Sequence, residues 1–332
     1  MSNRRLHPAG GSILGVSASA GDLAHTHLVA VYDRDDELAA TVAEFLADAF
    51  EKGGTAVVIA TLDHRRAIAS ALGSLGADVD ALVRAGRYRS LDARAVLDSL
   101  MRGAHVDPDV FLSYAAETIS SSAAAGRPVH MYGEMVALLW DEGNVAAALD
   151  LESLWNRFAA HERFTLFCGY PRSSLEEHGD LAAAKSMCDR HSAVLPLTAP
   201  SPVPAERGAG DVCERLFLVA PTAPHEARAF VRDALDRWNE HSAEGEEEII
   251  ASELATNAVR HARSPFRVCV SRTPAGVRIA VSDASNDPPQ HIVRDDCEFG
   301  GRGVRLVAAL STAWGTTDEA GGKTVWAEVA RA

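Results

Sequence analysis

A proline-rich segment divides the chain and so limits how many folded units it can form. Residues 196–204 read Pro-Leu-Thr-Ala-Pro-Ser-Pro-Val-Pro. Proline fixes φ and has no amide hydrogen, so such a segment is semi-extended and buries little surface. In a chain of 332 residues, a linker at 197–210 leaves one domain at 25–196 and a second at 211–332. Small residues dominate 1–24, which we expect to form a flexible arm.

Composition excludes several classes of protein. The net charge is −14, and a nucleic-acid-binding domain usually carries a basic excess, so we expect no direct nucleic-acid partner. The five cysteines contain no C-x-x-C pair, a pattern typical of reduced thiols in a cytosol. No apolar run reaches the roughly 18 residues that a membrane-spanning helix needs. We therefore expect a cytoplasmic protein without a membrane partner.

Apolar runs alternate with helical patterns through the first domain. The runs predicted as buried strands are 28–32, 55–60, 128–132 and 164–168, and the predicted helices are 35–51, 63–73, 92–102, 108–125 and 144–161. Alternation at this length indicates a mainly parallel sheet covered on both faces. The turn after the first strand is acidic, Asp33-Arg34-Asp35-Asp36. Because it would repel a triphosphate, we expect no nucleotide in this domain.

Several polar and aromatic side chains lie at the ends of these strands. His27 and Tyr32 bracket the first strand, Glu134 follows the strand that ends near Tyr132, and Tyr170 follows the last. Open α/β sheets bind ligands at the carboxyl ends of their strands, which is where Glu134 is predicted to lie. The alternative for Glu134 is a carboxylate that caps a helix or pairs with an arginine.

Together with Glu152 and the segment 191–196, these residues resemble the MEDS domain, a sensory domain of methanogen and methylotroph regulators. The resemblance spans about 25–196 and implies an α/β class with a RecA/KaiC-like, mainly parallel sandwich. It further implies that the domain senses a small-molecule signal, whose identity is unknown. The residues predicted to line that ligand site are His27, Tyr32, Glu134 and Tyr170.

Cysteine and histidine near the end of the domain raise two further hypotheses. Cys168, Cys188 and His191 are candidate metal ligands, but a structural zinc site usually has four ligands at close, paired spacing. The spacing favours buried thiols instead. His191 is also a candidate phosphoacceptor, although the acidic neighbour and long dimerising helices of such a histidine are missing.

A predicted helix at 245–262 is the most distinctive element of the second domain. Glu253, Asn257 and His261 are each four residues apart, so α-helical spacing puts them on one face. An apolar stripe beside them is suited to packing inward. The alternative is a core helix with an incidental polar edge. The other predicted elements are strands at 215–219, 266–271, 277–282 and 323–329 and helices at 224–239 and 301–312.

Three later segments of the sequence are considered together with this helix. One strand ends in Asp283, a glycine-rich turn at 299–307 opens a helix, and Gly321-Gly322-Lys323-Thr324 begins the last strand. In this order and spacing, the four segments resemble the boxes of the GHKL ATPase superfamily, and most of all its anti-sigma-factor serine-kinase branch. The resemblance covers about 211–330 and implies a GHKL (Bergerat) two-layer α/β sandwich that binds ATP and Mg²⁺.

The resemblance assigns roles residue by residue. Asp283 matches the acceptor for the adenine amino group, Asn257 the Mg²⁺ ligand, and Glu253 the group that orients or deprotonates the attacking hydroxyl. The remaining positions are those near phosphate, Gly301, Arg302, Gly303 and His261, and those at the pocket floor and adenine side, Thr324 and Ser285. Two features depart from the family pattern, since Ser285 replaces a glycine and the lid at 286–300 is short and acidic.

The two resemblances predict a signalling regulator whose sensor controls an anti-sigma-factor-like serine/threonine protein kinase. Its expected partner is a STAS-type anti-anti-sigma protein, a sigma factor, or both. The alternatives are a nucleotide-responsive adaptor without kinase activity and an orphan sensor histidine kinase. Because the linker transmits little by itself, coupling requires direct domain contact or a homodimer formed through the sensor.

Overall fold

The computed structural model describes residues 25–122, 127–197, 211–240, 242, 245–285, 302–319 and 322–330. The predicted arm, nearly all of the linker, the acidic lid and Gly301 lie outside these ranges. In the part of the chain that is described, no helix combines the length and apolar character needed to cross a membrane.

The first domain alternates strands with helices, as its apolar runs predict. Its strands are β1 (His25–Tyr32), β2 (Thr55–Ala60), β3 (Tyr88–Asp92), β4 (Met101–Arg102), β5 (His105–Val106), β6 (Val129–Gly133), β7 (Phe164–Pro171) and β8 (Ala193–Leu197). Its helices are α1 (Asp35–Glu51), α2 (Leu62–Ser74), α3 (Val79–Arg84), α4 (Ala93–Leu100), α5 (Pro108–Ser122), α6 (Met135–Asp141), α7 (Val145–Ala159), α8 (Arg172–His178) and α9 (Leu181–Cys188).

Six of these strands form one sheet in the order β3-β2-β6-β7-β1-β8, with all five pairings parallel. Successive residues of a strand point to opposite faces, and in β1 Leu28 and Ala30 join one apolar cluster while Val29 and Val31 join another. Both faces of the sheet are therefore buried, which confirms the predicted α/β class for this domain.

The helices divide between the two faces of the sheet. Helices α1 and α2 pack in the cluster on one face, and α4 to α9 contribute to the cluster on the other. Strands β2 and β6 are neighbours. The helix that follows β2 packs on one face of the sheet, and the helix that follows β6 packs on the other. Ligands of open α/β sheets bind in the crevice outside the carboxyl ends of such strands.

The second domain has fewer elements and a different sheet. Its elements are β9 (Val212–Phe217), α10 (Ala223–Trp238), α11 (Glu246–Asn257), a π-helical turn (Ala258–Ala262), β10 (Phe266–Thr273), β11 (Gly276–Asp283), α12 (Arg302–Leu310), β12 (Ala313–Glu319) and β13 (Gly322–Ala330). The strand order is β12-β13-β11-β10-β9. Each described pairing is antiparallel, so these five strands form an antiparallel sheet.

The core of this domain lies on one face of its sheet. Alternate residues of β10 and β11, among them Val268, Val270 and Ile279, pack against apolar residues of α10, α11 and α12 such as Leu254 and Val307. A sheet with helices on one face is a two-layer sandwich, so the second part of the fold prediction is confirmed.

The two domains touch through apolar contacts, since Leu216 and Leu218 belong to an apolar cluster of the first domain, and through a set of polar contacts. Asp33, directly after β1, is 2.9 Å from Nε of Arg172 and 2.7 Å from Nη2 of Arg215. In addition, the backbone nitrogen of Leu216 donates to Oε1 of Glu176 at 2.6 Å, and its carbonyl accepts from Arg172. Helix α8 and strand β9 are thus joined directly, which is one of the two predicted routes of coupling.

Candidate nucleotide site and sensor-domain clusters

Helix α11 carries the polar face that the sequence predicts. It starts after Gly245, whose φ of 67° suits glycine, and three glutamates in its first turn favour the positive end of the helix dipole. Glu253 and Asn257 are half-buried near its end. Helical spacing places both side chains on the same face of the helix.

The structure corrects the predicted single helix at its carboxyl end. Residues Ala258–Ala262 form a π-helical turn, and Arg263 follows with a left-handed φ of 47°. A π turn closes its hydrogen bonds over five residues and not four, so the regular α-helical repeat ends at Asn257. His261 is exposed, whereas Glu253 and Asn257 are half-buried.

The start of helix α12 lies against the polar face of α11. A Cβ atom at Gly303 would be 2.7 Å from Oε2 of Glu253 and 3.6 Å from Oδ1 of Asn257. A side chain at this position would require the end of the Glu253 side chain to move. Amide hydrogens at a helix N-terminus attract anions, and the first turn of α12, which begins at Arg302, lies beside Glu253 and Asn257, so these residues are a candidate anion site.

Asp283 is buried at the end of β11 and already has two partners. Its Oδ1 is 2.9 Å from Nζ of Lys323, and it accepts the backbone N–H of Ser285, also at 2.9 Å. Lys323 also donates to the carbonyl of Ser285 at 3.3 Å. Lys323 has no role in the sequence motif that contains it. Lys323 on β13 lies opposite Asp283 on β11. This strand pairing is the observation that identifies Lys323 as a partner of Asp283.

Close packing fixes the turn that follows Asp283. Oγ of Ser264, which is fully buried, accepts the N–H of Ala284 at 3.1 Å. A Cβ at Gly322 would lie 2.0 Å from the carbonyl oxygen of Asp283, so only glycine fits there. Thr324, predicted at the pocket floor, is 2.5 Å from Oγ of Ser282.

In the first domain, Glu134 is the centre of a hydrogen-bonded cluster at the carboxyl edge of the sheet. It accepts from the N–H of Thr61 at 2.9 Å, from the hydroxyl of Tyr132 at 2.9 Å, and from Nδ1 of His64 at 2.5 Å. Nε2 of His64 is 3.2 Å from Asp35. Glu134 therefore pairs with a histidine. Among the described residues, its partners do not include the arginine that the alternative predicts.

Charge within this cluster shifts two pKa values. The hydrogen bond from His64 to Glu134, helped by Asp35 and opposed by burial, raises the pKa of His64 to about 9. Tyr32 lies beside this histidine, with ring centroids 6.0 Å apart. Burial, followed by the charge of Glu134, raises the pKa of Tyr32 far above its usual value. His64 is therefore a cation between two carboxylates at neutral pH.

The other two predicted sensor residues belong to a different cluster, centred on Glu152. The hydroxyl of Tyr170 donates to its Oε1 at 2.6 Å, and Nε2 of His27 is 3.2 Å from its Oε2. Cys168 and His191 lie beside the same carboxylate, whereas Cys188 is not part of the group. Tyr32 and Glu134 therefore do not share one site with His27 and Tyr170.

The environment of Glu152 favours a charged carboxylate in a fully buried position. Burial alone would raise its pKa, but the neighbouring His191 and His27 hold the pKa well below its usual range. Burial, and then the charge of Glu152, raise the pKa of the Cys168 thiol well above its usual value. Glu152 was noted in the sequence only as part of the resemblance, since no spacing rule links α7 to β1 and β7.

Two family models match different parts of the chain. Residues 26–185 match the family model described as MEDS, the methanogen/methylotroph, DcmR sensory domain. Residues 217–329 match the model described as the histidine kinase-like ATPase domain. The two matches confirm the fusion that the sequence motifs indicate.

Other comparisons add little to this assignment. No curated protein matches the chain. Among solved structures, one similar protein is the KaiC-like protein of the hyperthermophilic archaeon Pyrococcus horikoshii OT3, with 17% identity, a TM-score of 0.33, and coverage of 52% of this chain and 71% of that chain. The fold described above depends on the strand order and not on this likeness.

Proposed function

We propose that this protein is a signalling regulator in which the MEDS domain controls an anti-sigma-factor-like, ATP-dependent serine/threonine kinase. The close approach of Gly303 to Glu253 and Asn257 carries the proposal. It brings a helix N-terminus, suited to phosphate, next to a carboxylate suited to a base and an amide oxygen suited to Mg²⁺. Phosphoryl transfer depends mainly on positioning and on neutralising charge, which these groups supply.

The residues of the site fit ATP with its metal ion. The buried carboxylate of Asp283 would accept from the adenine amino group, and Asn257 would give one oxygen to Mg²⁺, which usually keeps several waters. Glu253 would orient or deprotonate the hydroxyl of a protein substrate. His261, which is exposed, would act as a neighbour of the site rather than a ligand.

The proposed substrate is a serine or threonine of a STAS-type anti-anti-sigma protein, and a bound sigma factor would be the regulated output. The second candidate is a nucleotide-responsive adaptor without kinase activity. The ion pair between Lys323 and Asp283 favours it, because adenine must share that carboxylate with the lysine. Weak binding of adenine would reduce the turnover of ATP more than it would reduce the binding of a protein partner.

The two candidates differ in one measurement, the transfer of label from γ-labelled ATP to STAS proteins of the same host. For the kinase, Glu253→Ala should keep ATP binding and reduce transfer by roughly 10²–10⁴-fold, the usual contribution of a positioned general base. Glu248→Ala is the matched control, because Glu248 lies on the same helix but pairs with Arg228 of α10. ATP-dependent partner binding without transfer would identify the adaptor, and no ATP binding at all would contradict both.

A further inference from the structure

Four potential metal ligands from distant parts of the chain meet inside the MEDS domain. They are His27 on β1, Glu152 on α7, Cys168 on β7 and His191 in the turn before β8. One nitrogen, oxygen or sulfur atom of each lies within 4.8 Å of the corresponding atom of every other residue. We call these four residues the Glu152 cluster.

The hydrogen bonds around His27 fix which ring nitrogen carries a proton in its neutral form. Nδ2 of Asn156 donates to the carbonyl of Arg190 at 2.7 Å, so Oδ1 of Asn156 is an acceptor. Nδ1 of His27 is 2.9 Å from that oxygen and therefore donates to it. The lone pair of Nε2 then points at the Glu152 cluster, with Sγ of Cys168 at 3.3 Å.

His191 is held in the same way. Its Nδ1 is 2.7 Å from the carbonyl of Met187, which can only accept, so Nδ1 carries the proton. Its Nε2 is completely buried and lacks a hydrogen-bond partner among the described residues. This nitrogen is 3.4 Å from Oε1 of Glu152, close enough for electrostatic interaction but without the geometry of a hydrogen bond.

In the metal-free cluster, the Cys168 thiol can donate to Nε2 of His27, whereas Nε2 of His191 faces the carboxylate without a hydrogen-bond partner among the described residues. One proton on His191 would pair with Glu152, but protons on both imidazoles would place two positive rings with centroids only 4.1 Å apart and leave a buried net charge. Such a charge is costly away from water. A divalent cation with the Glu152 carboxylate and the Cys168 thiolate instead gives a neutral group, in which both nitrogens have a partner.

We propose that the Glu152 cluster binds one divalent first-row transition-metal ion, best matched by Zn²⁺. Zinc bonds of roughly 2.0–2.3 Å in a tetrahedron separate the ligand atoms by roughly 3.3–3.8 Å. In the cluster, Nε2 of His27 is 3.2 Å from Glu152 and 3.3 Å from Cys168, and Cys168 is 3.9 Å from Glu152. On binding, the metal replaces the thiol proton of Cys168, which passes to solvent.

The surrounding groups are those that a bound metal requires. A metal-ligating histidine usually donates its second nitrogen to a carbonyl or carboxylate, as His27 and His191 do. Tyr170 donates to the Glu152 carboxylate and orients it. All four positions of a tetrahedron are filled by protein, which is typical of a structural site and not of a catalytic one. The ion would join β1, α7, β7 and the turn before β8.

The wild-type protein gives the first test. The full-length chain, purified without nucleotide or added chelator, should contain about one zinc per chain by mass spectrometry of the metal. X-ray absorption at the zinc edge should show one sulfur and about three nitrogen or oxygen neighbours, at the bond lengths that a mixed tetrahedral site requires. Chelation should lower the melting temperature, and Zn²⁺, but not Mg²⁺, should restore it.

Variants assign the ligands. In the cobalt-substituted protein, Cys168→Ser should abolish the thiolate-to-cobalt absorption band, while Cys188→Ser, which changes a cysteine outside the cluster, should retain it. Asn156→Leu, which removes the positioning of His27, should weaken zinc binding by roughly 10–100-fold. Circular dichroism establishes that each variant is folded.

Three results would overturn the proposal, and all are independent of ATP. The first is a metal-free wild-type protein that takes up neither Zn²⁺ nor Co²⁺. The second is bound zinc with no sulfur neighbour, which indicates an adventitious surface ion. The third is a folded Cys168→Ser variant that keeps the cobalt–thiolate band.

Discussion

The carboxylate of Asp283 has more than one potential partner. The side chains of Asp283 and Lys323 are only 6% and 7% exposed, so their ion pair is almost entirely shielded from water. Breaking such a pair by removing one charge usually destabilises a protein by about 3–5 kcal/mol, because the remaining charge is uncompensated. An experiment on Asp283 must therefore separate a loss of ATP binding from a loss of stability.

We predict that Asp283→Asn lowers the affinity for ATP by about 1.5–3 kcal/mol, the contribution of a hydrogen bond to a charged group. Calorimetry measures the affinity and thermal unfolding measures the stability. Lys323→Met is the matched control, since it disrupts the same ion pair but keeps the carboxylate, and should lower stability without weakening ATP binding. Unchanged ATP affinity in folded Asp283→Asn would exclude Asp283 as the adenine acceptor.

His64 predicts a pH dependence of stability. Its pKa is raised from 6.5 to about 9 by Glu134 and Asp35, so the protonated form is stabilised in the folded state. This contribution is fully present below pH 6.5 and is lost as the pH rises through about 9. The melting temperature should therefore fall between these values.

A change of His64→Gln should remove most of this pH-dependent fall, and His161→Gln, at an exposed position, should leave it in place. Thermal unfolding monitored by circular dichroism from pH 6 to pH 10 measures the effect. If the wild type and His64→Gln lost stability in parallel, the pair with Glu134 would not be its source.

At the scale of elements, the contact between α11 and α12 determines the nucleotide site. An added Cβ at Gly303 would meet the end of the Glu253 side chain and not backbone. The side chain can move aside, so the fold should survive while the polar face of α11 is rearranged.

We predict that Gly303→Ala leaves the melting temperature nearly unchanged but reduces ATP affinity, as measured by calorimetry. Gly73→Ala, in helix α2 with no atom within 4 Å of the added Cβ, is the control. It should bind ATP normally and, as an unstrained glycine replacement, stabilise the protein by about 0.4–1 kcal/mol. Normal ATP affinity in Gly303→Ala would place the phosphates elsewhere.

The elements that sequence patterns predict best are those with a continuous apolar signal. Helix α1 matches its predicted range of 35–51, and β2 matches 55–60. Among the strands that were not predicted are β3, β8 and β12. Each is an edge strand of its sheet, where one side of the strand faces away from partners, and most side chains of β12 are exposed. An edge strand has less apolar periodicity for a pattern to detect.

The same physical limit applies to the sites. The polar face of α11 is local in sequence, so spacing placed Glu253 and Asn257 together, but the π turn that contains His261 leaves no pattern. The Glu152 cluster joins residues as far apart as His27 and His191, and only the pairing of β1 with β7 and β8 brings them together. Strand register, which a single sequence does not encode visibly, is also what pairs Lys323 with Asp283.

At the scale of the whole molecule, Asp33 lies between the two arginines that join the domains. Burial, followed by the nearby charge of Arg172, lowers the pKa of Arg215, while Asp33 opposes this shift. Without Asp33, two guanidinium groups would face each other at the contact. A ligand of the sensor can alter the ATPase domain only if it favours one arrangement of this contact over another.

We therefore predict that Asp33→Asn separates the unfolding of the two domains into two calorimetric transitions, where the wild type shows one. Asp36→Asn is the matched control, because its pair with Arg34 is exposed to solvent and within the first domain. A single transition in Asp33→Asn, at the wild-type temperature, would show that other contacts couple the domains.

The contact at Leu216 has a consequence for the outer edge of the second sheet. β9 is the outermost strand of its sheet, and an uncovered outer strand offers its amide and carbonyl groups to strands of other molecules. Here Glu176 takes the N–H of Leu216 and Arg172 takes its carbonyl, so side chains of the sensor domain occupy groups that a foreign strand would need. Loss of the sensor domain by proteolysis would expose them, and the remaining ATPase domain should then self-associate through β9, with a particle size in light scattering that rises with concentration.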